Sequence, residues 1–237
     1  LAWDADGIAL TNKSGRQTSL NMCKDGEGGV FAIWKDFSNS SYGDIYGTHI
    51  SSNDVILNQG EGTPIVEFPS YKGYASLEYG GPGSAVMVWQ DERYSQEENG
   101  VDIFSQRISH ESGELTINWS SSTEGGKHIC DANEDQISPR VTHFSGNSTV
   151  VVWQDNRTNT NSNSDIYLQY LDENGDNLLS ENGIPVSEGT WVKQLPRAKS
   201  DGTYTFLVWE DERSTPSWQM KSDIFGQKID GSGNVHW

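Results

Sequence analysis

Three triplets of charged residues have the types and spacing for chemistry: Asp91, Arg93 and Asp102; Asp155, Arg157 and Asp165; Asp211, Arg213 and Asp223. Two carboxylates facing across a cleft are the machinery of glycoside hydrolysis. Two carboxylates on one planar guanidinium make instead a strong, geometrically fixed ion pair. Each triplet follows the same pattern: Trp-x-Asp-x-Arg, a polar loop, then Asp-Ile. Catalysis calls for one asymmetric site, whereas a triplet copied along the chain belongs to the scaffold. The expectation is therefore a staple, each Arg gripped by both Asp residues at the mouth of a hairpin.

Other candidates are fewer. Asp131, Asn133 and Asp135 alternate oxygen ligands as the start of a calcium loop does, and so do Asp172, Asn174 and Asp176. Both lack the glycine at the sixth position and the glutamate at the twelfth that complete such a loop. Asp172–Asp176 reads as a hairpin turn, which leaves Asp131, Asn133 and Asp135 as the candidate Ca²⁺ ligands. The histidines are scattered, and there is no nucleophile elbow and no phosphate loop. Cys23 and Cys130 are too few for a disulfide framework. Of the aromatic residues, Trp218, Trp191 and Tyr94 fall in loops that differ between repeats. There they would stack on sugar rings or anchor a protein partner; the competing reading folds them back over their own loops.

The elements that position these residues come from a repeat. An apolar run, Trp-x-Asp-x-Arg, a polar loop, Asp-Ile-Tyr-x-Gln and a closing Asp-x-x-Gly turn occur four times, around Trp34, Trp89, Trp153 and Trp209. A weaker strand precedes each run and another follows each turn, so each unit reads as four short strands. Runs such as Val150-Val151-Val152-Trp153 are apolar without alternation, and a strand apolar on both faces needs cover on both. Four-stranded sheets stacked around an axis supply that cover, which predicts an all-β, four-bladed β-propeller in one domain. The blades run over about 12–66, 67–130, 131–188 and 189–237. Residues 1–11 match the missing fourth strand of the last blade: Trp237 and Trp3 both align with Leu179. The ring is expected to close through that strand, which would remove its exposed sheet edges.

The repeats resemble those of large secreted or cell-surface bacterial proteins, many of them exported by type IX secretion in Bacteroidetes. That resemblance implies an extracellular or surface-attached propeller module, often one part of a longer multidomain protein. The first unit departs from the pattern, with no Arg after Trp34-Lys35-Asp36 and Thr48 in place of Gln.

Composition narrows the function further. The formal charge of −18 argues against nucleic acid, which binds to clustered Lys and Arg, and is read mainly as solubility. No apolar run is long enough for a membrane span. The sialidase Asp-box is not matched; the nearest stretch, Ser109–Gly113, lacks its Asp. The strands expected to line the channel offer Lys24, Glu78, Arg140 and Arg197, with no paired acids. The sequence thus points to a non-catalytic recognition or adhesion module that binds glycan or protein through one loop face. The alternatives are an extracellular glycan-active enzyme or its accessory domain, and a structural subunit or spacer of a surface assembly.

Overall fold

The computed structural model describes residues 5–95, 100–120, 125–158, 163–213 and 221–237. Among them are strands and turns and no helix. The first sheet orders β1 (Gln17–Lys24), β2 (Val30–Asp36), β3 (Asp44–Ile50) and β4 (Thr63–Val66). The second comprises β5 (Lys72–Gly81), β6 (Ser84–Asp91), β7 (Asp102–Glu111) and β8 (Glu114–Ile117), with β9 (Lys127–Cys130) also pairing with β7. The third holds β10 (Gln136–His143), β11 (Thr149–Asp155), β12 (Asp165–Leu171) and β13 (Ile184–Ser187). The fourth has β14 (Lys193–Ser200), β15 (Tyr204–Asp211) and β16 (Asp223–Asp230). All pairings between these strands are antiparallel. Four antiparallel sheets stacked face on face make a β-propeller-like fold.

The apolar runs explain the stacking. On β6, Met87 and Trp89 pack towards the first sheet, while Val86 and Val88 pack towards the third. On β11, Val151 and Trp153 pack towards the second sheet, while Val150 and Val152 pack towards the fourth. Each neighbouring pair of sheets thus encloses one apolar cluster. The indoles of Trp34, Trp89 and Trp153 each lie over a glycine at the start of the outer strand. A Cβ on Gly183 would come within 2.4 Å of the Trp153 ring, and one on Gly126 within 2.6 Å of Trp89.

Every inner strand breaks register at the same place, between Thr18 and Asn21, Gly73 and Ser76, Ile137 and Arg140, and Gln194 and Arg197. The bulged residue is left-handed each time: Ser19, Tyr74, Ser138 and Leu195 have φ of 50–55°. Such bulges bend a strand and re-aim its side chains.

The expected closure is not formed among the described residues. Asn12 N–H donates to Gly60 O and Gly60 N–H donates to Leu10 O, which ties this segment to the first sheet. The fourth sheet has three strands, and Trp3 lies outside the described residues. Trp237 does occupy its repeat position: Gln227 Oε1 accepts its N–H, as Gln169 Oε1 accepts that of Leu179. Among the described residues, both end faces of the row are open. Met22 is 60% exposed where its counterparts Leu77 and Val141 are 8% and 7%, and Val208 is 46% exposed where Val152 is fully buried.

Candidate functional site

The repeated triplets form a different device from the expected staple. Asp155 Oδ2 accepts from Trp153 Nε1 at 2.7 Å and from Arg157 Nη2 at 2.6 Å, while Oδ1 accepts the Arg157 backbone N–H. The two-residue spacing curls the guanidinium back onto its own Asp, and it then lies 4.0 Å over the Tyr167 ring. Arg93 stacks on Phe104 and Arg213 on Phe225 in the same way. The second Asp never joins. Asp165 pairs with Lys193 Nζ at 3.0 Å, Asp44 with Lys72 Nζ at 3.4 Å and Asp102 with His128 at 3.3 Å. The physical reason is register: the two Asp residues stand directly opposite each other, and like charges so placed are separated by giving each its own cation. In the first blade, which lacks the Arg, Lys13 Nζ sits 3.8 Å over Tyr46 instead.

Binding chemistry gathers on the inner strands. The register break leaves Tyr74 exposed at its left-handed position. Beyond the equivalent breaks stand Arg140 and Arg197, whose Nη1 groups donate to Pro139 O at 2.7 Å and to Pro196 O at 2.9 Å. Burial pushes the Arg140 guanidinium below its ordinary value, and the neighbouring Arg197 charge pushes it the same way, with Tyr74 opposing. Arg93, Arg157 and Arg213 each hold a carboxylate; among the described residues Arg140 and Arg197 hold none. Glu78 is the single carboxylate of the four inner strands, and it meets Lys199 of the fourth sheet at 2.7 Å. The inner strands thus carry two guanidiniums near enough to act on each other's charge, an exposed phenol ring and one acid.

Of the residues singled out in the loops, those among the described residues stand apart from one another, each with its own partners. Trp218 lies outside the described residues. Tyr94 packs beside Phe104 and His128 of its own sheet, with ring centroids 6.4 and 5.6 Å away. Trp191 is exposed, and its carbonyl accepts from Lys193 Nζ. Asp135 Oδ1 accepts Val101 N–H, Asn133 O accepts from Gln136 Nε2, and Asp131 lies 4.0 Å from His128. The three candidate calcium ligands thus serve different partners in a turn. Both cysteines are free thiols. A cluster that could hold a metal lies elsewhere, at Asp25, His49 and His110. Sequence reading missed it because these residues are far apart in the chain; the signal was that His49 stands three residues after the repeat aromatic Tyr46, where the other repeats carry Arg107, Tyr170 and Lys228.

No family model and no curated protein matches the sequence. Solved structures do match the fold. An α-L-arabinanase from Penicillium chrysogenum, complexed with arabinobiose, superposes with a TM-score of 0.59 at 11% identity, over 93% of this chain and 66% of that one. An α-L-arabinofuranosidase from Fusarium graminearum gives 0.56 at 10% identity, over 94% and 65%. A Hadza microbial sialidase gives 0.58 at 8% identity, over 92% and 45%. The chain therefore spans less than two thirds of the length of these neighbours. Its fold is the propeller-like fold that carries glycoside hydrolases. This overturns the expectation of a non-catalytic recognition and adhesion module, which rested on the missing sialidase Asp-box and on the repetition of the charged triplets. The triplets describe how the blades are built, and the lack of paired acids among Lys24, Glu78, Arg140 and Arg197 does not exclude a second acid supplied from elsewhere in the fold.

Proposed function

We propose that this chain is the propeller of a glycan-active enzyme or of its accessory unit, and that its inner-strand face takes an acidic sugar. One observation carries the reading: Arg140 and Arg197, at equivalent positions on neighbouring inner strands and near enough for one charge to act on the other, hold no carboxylate among the described residues, in a protein of net charge −18. In such a chain a bare guanidinium pair selects anions, and a sugar carboxylate accepts bidentately from it. Tyr74 offers a face for the pyranose ring, and Glu78 is the acid within the same inner layer. Two-acid chemistry then draws its second carboxylate from outside the four inner strands. The resemblance of the repeats to secreted bacterial proteins supports action outside the cell.

The test sets uronate- and sialate-bearing oligosaccharides against neutral arabinan and fructan fragments, reading binding by calorimetry and cleavage by release of reducing ends. Acidic oligosaccharides should bind, and Arg140→Ala or Arg197→Ala should weaken binding by about 10- to 100-fold, the worth of a charged hydrogen bond. Glu78→Gln should remove turnover while binding persists. Equal affinity for neutral and acidic sugars, or no effect of either Arg substitution, overturns the reading.

A further inference from the structure

On the opposite face from the loops that follow β2 and β6, two blades bring four ligand-bearing side chains together. Asp25 stands in the turn between β1 and β2 and is buried. Its Oδ1 accepts the N–H groups of Glu27 at 2.7 Å and Gly29 at 2.8 Å, so Oδ2 is aimed away from the turn. His49, at the end of β3, places Nε2 2.8 Å from that oxygen. His110, at the end of β7 in the second blade, places Nε2 3.9 Å from Asp25 Oδ2 and 3.3 Å from Glu27 Oε2. The two imidazoles stack with centroids 3.9 Å apart, and Phe31 packs on both.

Three observations point to a ligand here beyond an ordinary His–Asp contact. His110 Nε2 is buried and lacks any hydrogen-bond partner although it is directed at two carboxylates; such an orphan atom is costly unless something satisfies it. Gly29 leaves a cradle: a Cβ there would come within 2.6 Å of Asp25 Oδ2 and 3.1 Å of His49 Nε2. Asp25 Oδ1 is occupied by two backbone N–H donors, which fixes Oδ2 between the two imidazoles, 2.8 Å from His49 Nε2 and 3.9 Å from His110 Nε2. A carboxylate held by outer hydrogen bonds, with its second oxygen turned towards other donor groups, is how proteins prepare a metal ligand.

We propose that Asp25, His49 and His110, with Glu27 as the fourth ligand, bind one zinc ion that clamps the first blade to the second. Two imidazole nitrogens and two carboxylate oxygens suit Zn²⁺, and the nitrogen donors disfavour calcium and magnesium. Ligands ~2 Å from a tetrahedral ion sit roughly 3.3 Å apart. Asp25 and His49 are already nearer than that; His110 Nε2 closes the remaining ~0.6 Å by turning its ring out of the 3.9 Å stack on His49, so that both in-plane lone pairs meet the ion. The clamp is particular to this boundary, because the equivalent positions between the later blades carry Arg107 and Tyr170, which bond to Ser84 and Thr205.

The whole chain, stripped with a chelator and dialysed, is titrated with ZnCl₂ alone; metal content is read by mass spectrometry and cobalt substitution by visible absorption. One equivalent should be retained, melting should move up on zinc addition, and Co²⁺ should give a tetrahedral d–d spectrum. His110→Ala, at a partly exposed position, should lower affinity by more than the ~10–100-fold expected for an outer partner, whereas His236→Ala should leave it intact. Glu27→Ala serves as a second, surface variant and should open the fourth position, changing the cobalt spectrum. Failure to retain an equivalent, or retention unchanged in His110→Ala, overturns the site.

Discussion

At the scale of the residue, the Trp-x-Asp-x-Arg sequence is a self-contained knot. In the second blade Asp91 accepts from Trp89 Nε1, Ser70 Oγ, the Arg93 backbone N–H and Arg93 Nη2. An ionised carboxylate so fully served inside the protein stays charged: burial pushes Asp91 up, but the Arg93 hydrogen bond and charge more than compensate, so its pKa lies below the usual value. A depressed carboxyl contributes stability that is fully present above its unfolded pKa and is lost as pH falls through the carboxylate range. Asp91→Asn should therefore cost about 3–5 kcal/mol at neutral pH, the cost of stranding a buried partner charge. The gap between wild type and variant, read by urea unfolding at a series of pH values, should narrow on acidification. A gap that stays constant down to pH 2 would refute the assignment.

At the scale of the element, buried lysines join blade to blade. Lys193 Nζ donates to Asp165 Oδ1 and to the carbonyls of Gly189 and Trp191; Lys72 Nζ repeats this with Asp44 and the carbonyls of Phe68 and Ser70. One ammonium therefore shapes the connection into its own strand and neutralises the carboxylate of the preceding blade. Lys193→Met should destabilise by about 3–5 kcal/mol, and Lys193→Met with Asp165→Leu should recover much of that loss, since an apolar pair can replace a buried ion pair. Equal losses in the single and double variants would show that the pairing is not the source. Strand order, the doubly covered second strands and the Trp, Asp, Arg skeleton were legible in the sequence because each rests on local periodicity. The partner of the second Asp was not, because Lys72 and Lys193 act on a blade other than their own. The same limit hid the Asp25 cluster and the inner-strand guanidinium pair, whose members meet only once the blades stack.

At the scale of the whole molecule, the repeat foretold the stacking but not what happens at its two ends. Phase matching of Trp3 and Trp237 to Leu179 implied closure. It could not reveal that residues 10–12 bond to Gly60 or that Asp223, among the described residues, meets no lysine of the kind that Lys72 and Lys193 supply to Asp44 and Asp165. The open faces have a consequence for solution behaviour. Leu20 and Met22 form one half of a blade junction, and Val208 and Ile224 form the other half. For the chain taken alone, the matching half is the one offered by the far end of another copy. Such a contact is heterologous, and one that does not close on itself propagates instead of stopping at a dimer. Sedimentation of the isolated chain should show a concentration-dependent ladder of sizes, collapsing to monomer in Val208→Lys and in Met22→Glu alike. A fixed dimer, or a monomer at every concentration, would mean that the ends do not recognise each other.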